Sequence, residues 1–309
     1  MMLMGQMSDD GAIGVDVGGT STRFALVDSA GRVYAHQKRP TLATRSTDEF
    51  LRWLVQGLTS LIPETTSPTS VQPNRLSNIG LAVPGLVHQP RGCVIRSVNL
   101  SFLEGMAIRS ALAEATGCVV KLMTDSAAAT WGEFRASDVP PSHFAHLRLG
   151  TGIACGVVRD GQLVDLDEGR TTHLSALVVE HGTDAVICPC GLRGCLETIA
   201  SGRALAEQWS AAGGEGTLPA LRSAYVNNHN AARKIVNRAS AGLRVAISQV
   251  ARELGVAQIC LGGGVSDHFP ELANLVIAKA TPGSSPTVRC ALLGDQAGVI
   301  GAALLAMQD

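Results

Sequence analysis

Apolar and polar positions along the chain alternate between strand and helix periods. Ile13, Val15 and Val17 lead through Asp16 into Gly18-Gly19-Thr20, and residues 24–27 lead out to Asp28. Two apolar runs joined by glycines predict a β-hairpin, and residues 31–36 predict a third, antiparallel strand. Glycines at such a tip permit positive φ and a close ligand approach, and bare amides there cradle phosphate oxygens. Ser46 and Glu49 form a capping box, followed by Phe50, Leu51, Leu54, Leu58 and Leu61 at helical spacing up to Pro63. Residues 63–77 are rich in Pro, Ser and Thr and predict a loop. The continuous apolar run 79–83 predicts a buried parallel strand, and residues 94–100 run into a loop.

Residues 107–115 predict a helix closed by Gly117, and residues 118–123 a strand that ends on Thr124 and Asp125 before a helix over 126–133. An acid at the C-terminal end of an α/β strand lies where such folds place their chemistry. The opening arrangement then recurs. Residues 144–149 turn at Gly150-Thr151-Gly152, return over 153–158, and turn again at Asp160-Gly161 into 162–164. Two glycine-turned hairpins, each starting an α/β unit, predict a duplicated fold in which each tip holds one phosphate of a nucleotide. Helices are predicted over 203–209 and 230–254, the latter with an apolar stripe from Ala231 to Val250 and a cap at Gly255. Residues 257–261 predict a strand that ends in Gly262-Gly263-Gly264, three glycines that allow flat, close approach of a ring or sugar, with a plain loop as the alternative. Residues 299–307 predict a closing helix of small residues.

Composition narrows the classes. The 309 residues allow two domains, and 46% hydrophobic content excludes disorder. No apolar run has membrane-spanning length, and residues 1–10 lack a signal-peptide pattern, which predicts a cytoplasmic protein with no membrane partner. Lys+Arg 25 against Asp+Glu 26 leaves a net charge of −1, with no basic footprint for nucleic acid. Of eight cysteines, five are scattered and predicted to be small buried residues. Cys188, Cys190 and Cys195 cluster, which in a cytoplasmic protein favours metal over disulfide. Three thiolates suit zinc, whose structural sites require a fourth ligand. The local readings of Asp125, Asn99 and Glu197 are a helix N-cap, a turn residue and a first-turn helix acid.

Together these motifs resemble the ROK family of sugar kinases, on the actin-like ATPase (ribonuclease H-like) fold: α/β, two α/β domains around a cleft. Asp16-Val17-Gly18-Gly19-Thr20 with Arg23 is similar to its first phosphate motif, residues 149–153 to its second, and Leu261 to Val265 to its adenosine motif. Residues 293–303 resemble its C-terminal helix signature, and residues 188–197 its cysteine motif almost letter for letter. The resemblance implies a small domain of residues 1–125 with 295–309 and a large domain of 126–294. It implies ATP and Mg²⁺ as cofactors, a sugar or polyol acceptor, and a homodimer. Asp125 is implied as general base and Asp16 as the holder of Mg²⁺ or its water. Gly18, Gly19, Thr20 and Arg23, then Thr151 and Gly152, then Gly262, Gly263 and Gly264 are implied as nucleotide contacts. Asn99 and Glu197 are implied as acceptor contacts.

The acceptor half departs from the family pattern. His173 stands at the position of a sugar-binding glutamate, Ala176 at the zinc- and sugar-binding histidine, Thr124 at a sugar-binding asparagine, and Ala127 and Leu103 at two further family positions. A site that loses hydroxyl-bonding groups changes its preferred ligand. Glucose is therefore expected to be a poor acceptor, and an amino sugar, other modified sugar or cyclitol a better one. The fourth zinc ligand is left to His173 or His181, with a metal-free loop as the alternative. Two rival functions remain: a family repressor, for which the first phosphate motif begins too early in the chain to follow a winged helix, and a non-catalytic sugar-binding sensor, which has no need of Asp125.

Overall fold

The computed structural model describes residues 11–61, 77–97, 100–138, 140–164, 177–188, 190–278 and 286–308. It forms two compact units, residues 1–138 with 296–309 and residues 139–295. In the first unit β1 (Gly11–Val17), β2 (Ser21–Asp28) and β3 (Val33–Pro40) form an antiparallel meander. Helix α1 (Thr47–Thr59) follows, with Ser46 accepting from the Glu49 amide at 3.3 Å, as the capping box predicts. Strand β4 (Asn78–Val83) pairs parallel to β1, and a small hairpin of β5 (Leu86–His88) and β6 (Cys93–Arg96) follows it. Helix α2 (Ile108–Thr116), with Gly117 left-handed at its C-terminus, leads to β7 (Val119–Thr124) and α3 (Asp125–Arg135).

The second unit repeats the plan with β8 (His143–Leu149), β9 (Ile153–Arg159) and β10 (Gln162–Leu163). Helices α4 (Glu197–Ala200), α5 (Gly202–Ala211), α6 (Leu218–Val226) and α7 (Asn230–Leu254) follow. Then come β11 (Gln258–Gly262), α8 (Gly264–His268), α9 (Pro270–Ala278) and β12 (Thr287–Cys290), and the chain returns to the first unit as α10 (Ala297–Ala306). The two five-stranded sheets have the same order, β3-β2-β1-β4-β7 and β10-β9-β8-β11-β12. The duplication read from the two glycine hairpins is thus a duplication of sheet topology.

Each sheet carries its own core. Phe24, Phe50, Leu54, Leu81, Leu103 and Leu112 fill the first; Leu147, Trp209, Leu243, Leu261 and Phe269 fill the second. Helix α7 buries the stripe Val236, Ala239, Leu243, Ala246, Ile247 and Val250. Helix α10 is buried along its whole length, which explains its small residues. A Cβ on Gly14 or Gly80 would stand 1.9 Å from the α10 carbonyls of Val299 or Ala302, and one on Gly301 would stand 1.8 Å from the α3 carbonyl of Ala128. Backbone meets backbone there, and only glycine fits.

Several expectations change. Gly18, Gly19, Gly150 and Gly152 do not take positive φ. At Gly18 and Gly152 lack of space is the reason for glycine, because a Cβ would lie 2.7 Å from the Ser21 carbonyl or 3.0 Å from the Glu197 carboxylate. Gly264 opens helix α8, so the glycine triplet is a strand end and a helix start rather than a loop. Cys155 and Cys260 are buried as expected, whereas Cys93 and Cys118 are half-buried and Cys290 is exposed.

Candidate active site

Parallel pairing brings the first cluster together. Asp16, Ala82 and Met123 lie in one row across β1, β4 and β7, and Val83 pairs with Thr124 in the next. Asp16 therefore sits at the same sheet edge as Asp125, two strands away, about 10 Å by strand spacing. Asp16 is only 6% exposed. Arg23 is its directly opposite neighbour on β2, and Gly298 at the start of α10 presses against it: a Cβ there would stand 2.5 Å from Asp16 Oδ2. The missing side chain at Gly298 is what leaves room for that carboxylate.

Beyond Asp16, the Gly18 amide donates to the Ser21 carbonyl at 3.0 Å. Thr41 pins the turn from β3's far end: its hydroxyl donates to the Gly18 carbonyl at 2.7 Å and its amide to the Thr20 carbonyl at 3.0 Å. Gly19 and Thr20 are exposed, and their amides donate to no group among the described residues. Such paired bare donors suit phosphate oxygens. A cavity of about 530 Å³ adjoins Gly19, walled by residues 41–45 and 100–102. Arg45 supplies the one charged side chain among those described lining residues. Thr41 and this wall were not singled out by sequence reading; a threonine just beyond an edge strand carries no distinguishing pattern.

At the end of β7, Thr124 rather than Asp125 caps α3. Its Oγ1 accepts from the Ala127 amide at 3.1 Å and shares a hydrogen bond with the Ser126 hydroxyl. The N-cap reading of Asp125 is corrected: Asp125 is the first helical residue, half-buried, and one of its oxygens accepts from the Ser126 amide at 2.9 Å. Asn99 and His173 lie outside the described residues.

The second unit builds its own cluster. The Gly150 amide donates to the Gly152 carbonyl at 2.8 Å, and the Gly150 carbonyl accepts from the Gly202 amide at 2.8 Å. The Arg203 amide donates to the Thr151 carbonyl at 3.3 Å. Gly263, with φ 90°, abuts the end of β8, where a Cβ would lie 2.6 Å from the Leu149 carbonyl. Gly262 makes room for His146, Gly264 begins α8, and all three lie beside the second hairpin because β11 pairs parallel with β8. Glu197 also joins this cluster: its Oε2 accepts from the Ile153 amide at 2.7 Å.

The cysteine loop is a compact knuckle. The Cys188 amide donates to the Leu192 carbonyl at 2.7 Å and the Gly191 amide to the Cys188 carbonyl at 2.9 Å. The three sulfurs lie within 4.8 Å of one another, and Cys190 Sγ is 3.6 Å from Cys195 Sγ. Burial pushes the Cys195 thiol up to about 12 and raises that of Cys188, while the Leu192 backbone bond draws exposed Cys190 down. Three thiols crowded this closely, two of them buried, suit a thiophilic cation that stabilises the anions. His181 is exposed and contributes no nitrogen to this group, and no other His, Asp or Glu among the described residues joins it. Behind the knuckle, Glu180 is clamped bidentately by Arg238, which holds its carboxyl below the usual range.

The same description fits a known family over residues 12–309. The chain belongs to the ROK family. It is 28% identical over 304 residues to the N-acetylmannosamine kinase of Citrobacter koseri, covering 96% of this chain and 99% of that one. It superimposes on the ROK hexokinase from Thermus thermophilus with a TM-score of 0.79 at 26% identity, covering 96% and 97% of the two chains. A ROK glucokinase from Streptomyces griseus, solved with glucose and AMPPNP, aligns with a TM-score of 0.76 at 22% identity over 97% and 100%. This ROK chain thus has the actin-like ATPase fold of those kinases. No helix among its described residues is long and apolar enough to cross a membrane.

Proposed function

We propose that this ROK protein phosphorylates a hydroxyl of an N-acyl amino sugar, with Asp125 as general base. The chain is an ATP-dependent sugar kinase. The observation that carries Asp125 as the base is the strand-end geometry of the first unit. A carboxylate at the end of β7 shares its sheet edge with buried Asp16 and a turn of bare amides. Phosphoryl transfer requires such parts: a group to orient and deprotonate the attacking hydroxyl, and donors for the phosphate charge.

In this reading Gly19 and Thr20 donate amides to phosphate oxygens, and Thr151 and Gly152 do the same from the second unit. Asp16, opposite Arg23, orients the hydration shell of the nucleotide's Mg²⁺. When bound, that ion would supply positive charge to offset the phosphates. Gly262, Gly263 and Gly264 provide flat, side-chain-free backbone for the adenosine. Thr124 holds the first turn of α3 so that the Asp125 carboxylate faces the acceptor; Asn99 and His173 are acceptor contacts. The name of the Citrobacter koseri relative supports an N-acyl hexosamine; the substitutions at His173, Ala176 and Thr124 support an acceptor other than glucose. Cys188, Cys190 and Cys195 would hold zinc, which would stabilise the knuckle, with a fourth ligand from outside this group. The protein works in the cytoplasm as a homodimer, a reading that rests on composition and on the family resemblance.

The test is coupled ADP release across glucose, N-acetylglucosamine, N-acetylmannosamine, unacylated hexosamines and inositols. An N-acyl hexosamine is expected to exceed glucose in kcat/KM by about 10²-fold or more, the scale set by a site rebuilt around a polar substituent. Glucose turned over as efficiently as any other acceptor would refute the reading.

A further inference from the structure

The cysteine knuckle brings three thiols together, and they differ in access. Cys190 is exposed, Cys188 is buried and Cys195 is fully buried. Cys190 Sγ lies 3.6 Å from Cys195 Sγ, and all three sulfurs lie within 4.8 Å of one another. With an exposed sulfur beside a buried one, a small oxidant meets the first and the second resolves the product.

The backbone holds the two sulfurs differently. Cys195 is anchored on both sides. The Gly194 carbonyl accepts from the Val179 and Glu180 amides at 2.9 and 3.1 Å, and the Gly194 amide donates to the Val186 carbonyl at 2.9 Å. The Leu196 amide donates to the Leu177 carbonyl at 2.9 Å, and the Thr198 hydroxyl donates to the Cys195 carbonyl at 2.7 Å. A Cβ on Gly194 would stand 2.0 Å from the Glu180 carbonyl, so the segments there meet backbone to backbone. Cys190 instead sits at an open tip. Its neighbour Gly191 has φ 91°, and a Cβ there would meet nothing within 4 Å. Bond formation requires the sulfurs to close from 3.6 Å to about 2.0 Å, and the exposed Cys190 side chain has the space to make that movement.

We propose that Cys190 and Cys195 form an oxidation site: a peroxide converts them reversibly into a disulfide across the knuckle. The Cys190 sulfur attacks one peroxide oxygen, the O–O bond breaks, and a sulfenic acid and one water form. The Cys195 sulfur then attacks the Cys190 sulfur. The S–S bond forms, the S–O bond breaks, and the departing hydroxide leaves with the Cys195 proton as a second water. The two sulfurs lose two electrons and the peroxide gains them. A dithiol reductant reverses the reaction, as suits a compartment where disulfides are transient. The bridge does not depend on the reading of the knuckle as a zinc site, but it bears on that reading. Bridged sulfurs no longer serve as two thiolate ligands, so bridge and metal exclude one another.

The experiment treats the full-length protein, reduced and desalted, with an equimolar amount of hydrogen peroxide. Thiols are counted in denaturant, and non-reduced tryptic peptides are mapped by mass spectrometry. Arg193 lies between the two cysteines, so trypsin leaves Cys190 on peptide 171–193 and Cys195 on peptide 194–203. The thiol count is expected to fall by two from the eight of the sequence, and the two peptides to appear as one species until dithiothreitol separates them. Cys190→Ser is expected to abolish the link, and Cys290→Ser, which removes the other exposed thiol, to leave it intact. If Cys190→Ser does not fold, fragmentation of the linked wild-type species locates the bridge at Cys190 or at Cys188. A count that stays at eight, a link through Cys188 or Cys290, or Cys190 oxidised to the sulfinic acid without a link overturns the proposal. Zinc measured before and after oxidation separates the two readings. Bound zinc is expected to leave in proportion to the bridge, and zinc retained by the bridged protein overturns the exclusion. A bridge in protein that held no zinc supports the oxidation site and overturns the metal reading.

Discussion

Gly298→Ala separates catalysis from stability. A Cβ at this position would stand 2.5 Å from Asp16 Oδ2 and 2.7 Å from Cγ. Asp16 is almost fully buried, so its carboxylate must retreat by roughly 1 Å to reach van der Waals separation. Two terms set the stability change. Alanine is preferred over glycine inside a helix by about 1 kcal/mol, and overpacking a buried side chain costs about 1–3 kcal/mol. These largely cancel, and the melting temperature should move by only a few degrees. Activity has no such compensation, because a 1 Å misplacement of a positioning group costs about 10²-fold. The expected result is a kcat about 100-fold down, measured by coupled ADP release, with near-native thermal unfolding by circular dichroism. Gly301→Ala is the contrast. Its Cβ would meet the Ala128 carbonyl, a backbone atom, at 1.8 Å, so stability is lost first. Gly298→Ala with kcat within threefold of wild type would remove Asp16 from the chemistry.

Thr124→Ala removes the cap of α3 and should lower stability by about 1 kcal/mol, read as an earlier urea midpoint. Asp28, Glu180 and Glu271 all have carboxyls held below the usual range. For Glu180 and Glu271 the cause is first the hydrogen bond from Arg238 or Arg222; for Asp28 burial acts upward but is outweighed by bonds from Arg32 and Tyr34. Because these folded values are depressed, their stabilisation is full above the unfolded carboxylate pKa of about 4 and is lost as pH falls through the lower folded values. Urea midpoints should therefore hold from pH 7 to about 5 and drop below about 4, and removing Glu180 with its partner Arg238 should flatten that drop. If the knuckle holds zinc as proposed, a chelator should lower the melting temperature, because the three crowded thiols lose the cation that offsets their charge; an unchanged melting temperature would argue against that metal.

Much of the fold is written in local pattern. The hairpins were legible because apolar runs flank glycine turns, and α7 because its stripe runs for many turns between His229 and Gly255. What escaped has physical reasons. Strand β5 is three residues long, too short for alternation to show. Helix α6 begins at a Thr217 cap with a proline in its first turn, a start signal that sequence reading passed over. The glycine triplet carries no side-chain pattern, so its change from strand to helix at Gly264 is invisible without β8 beside it. Site residues were legible as types and spacings, whereas their partners were not. That Thr124 would cap α3, that Thr41 would pin the first turn, and that Glu197 would bond Ile153 depend on contacts between distant segments.

Asp125→Asn tests the central claim most directly. The substitution keeps size and the bond to the Ser126 amide, and removes only basicity. With saturating ATP and the best acceptor, coupled ADP release is predicted to fall by at least about 10²-fold, the usual contribution of a general base, while both ligands still bind. Activity within tenfold of wild type would contradict the assignment of Asp125 as the base.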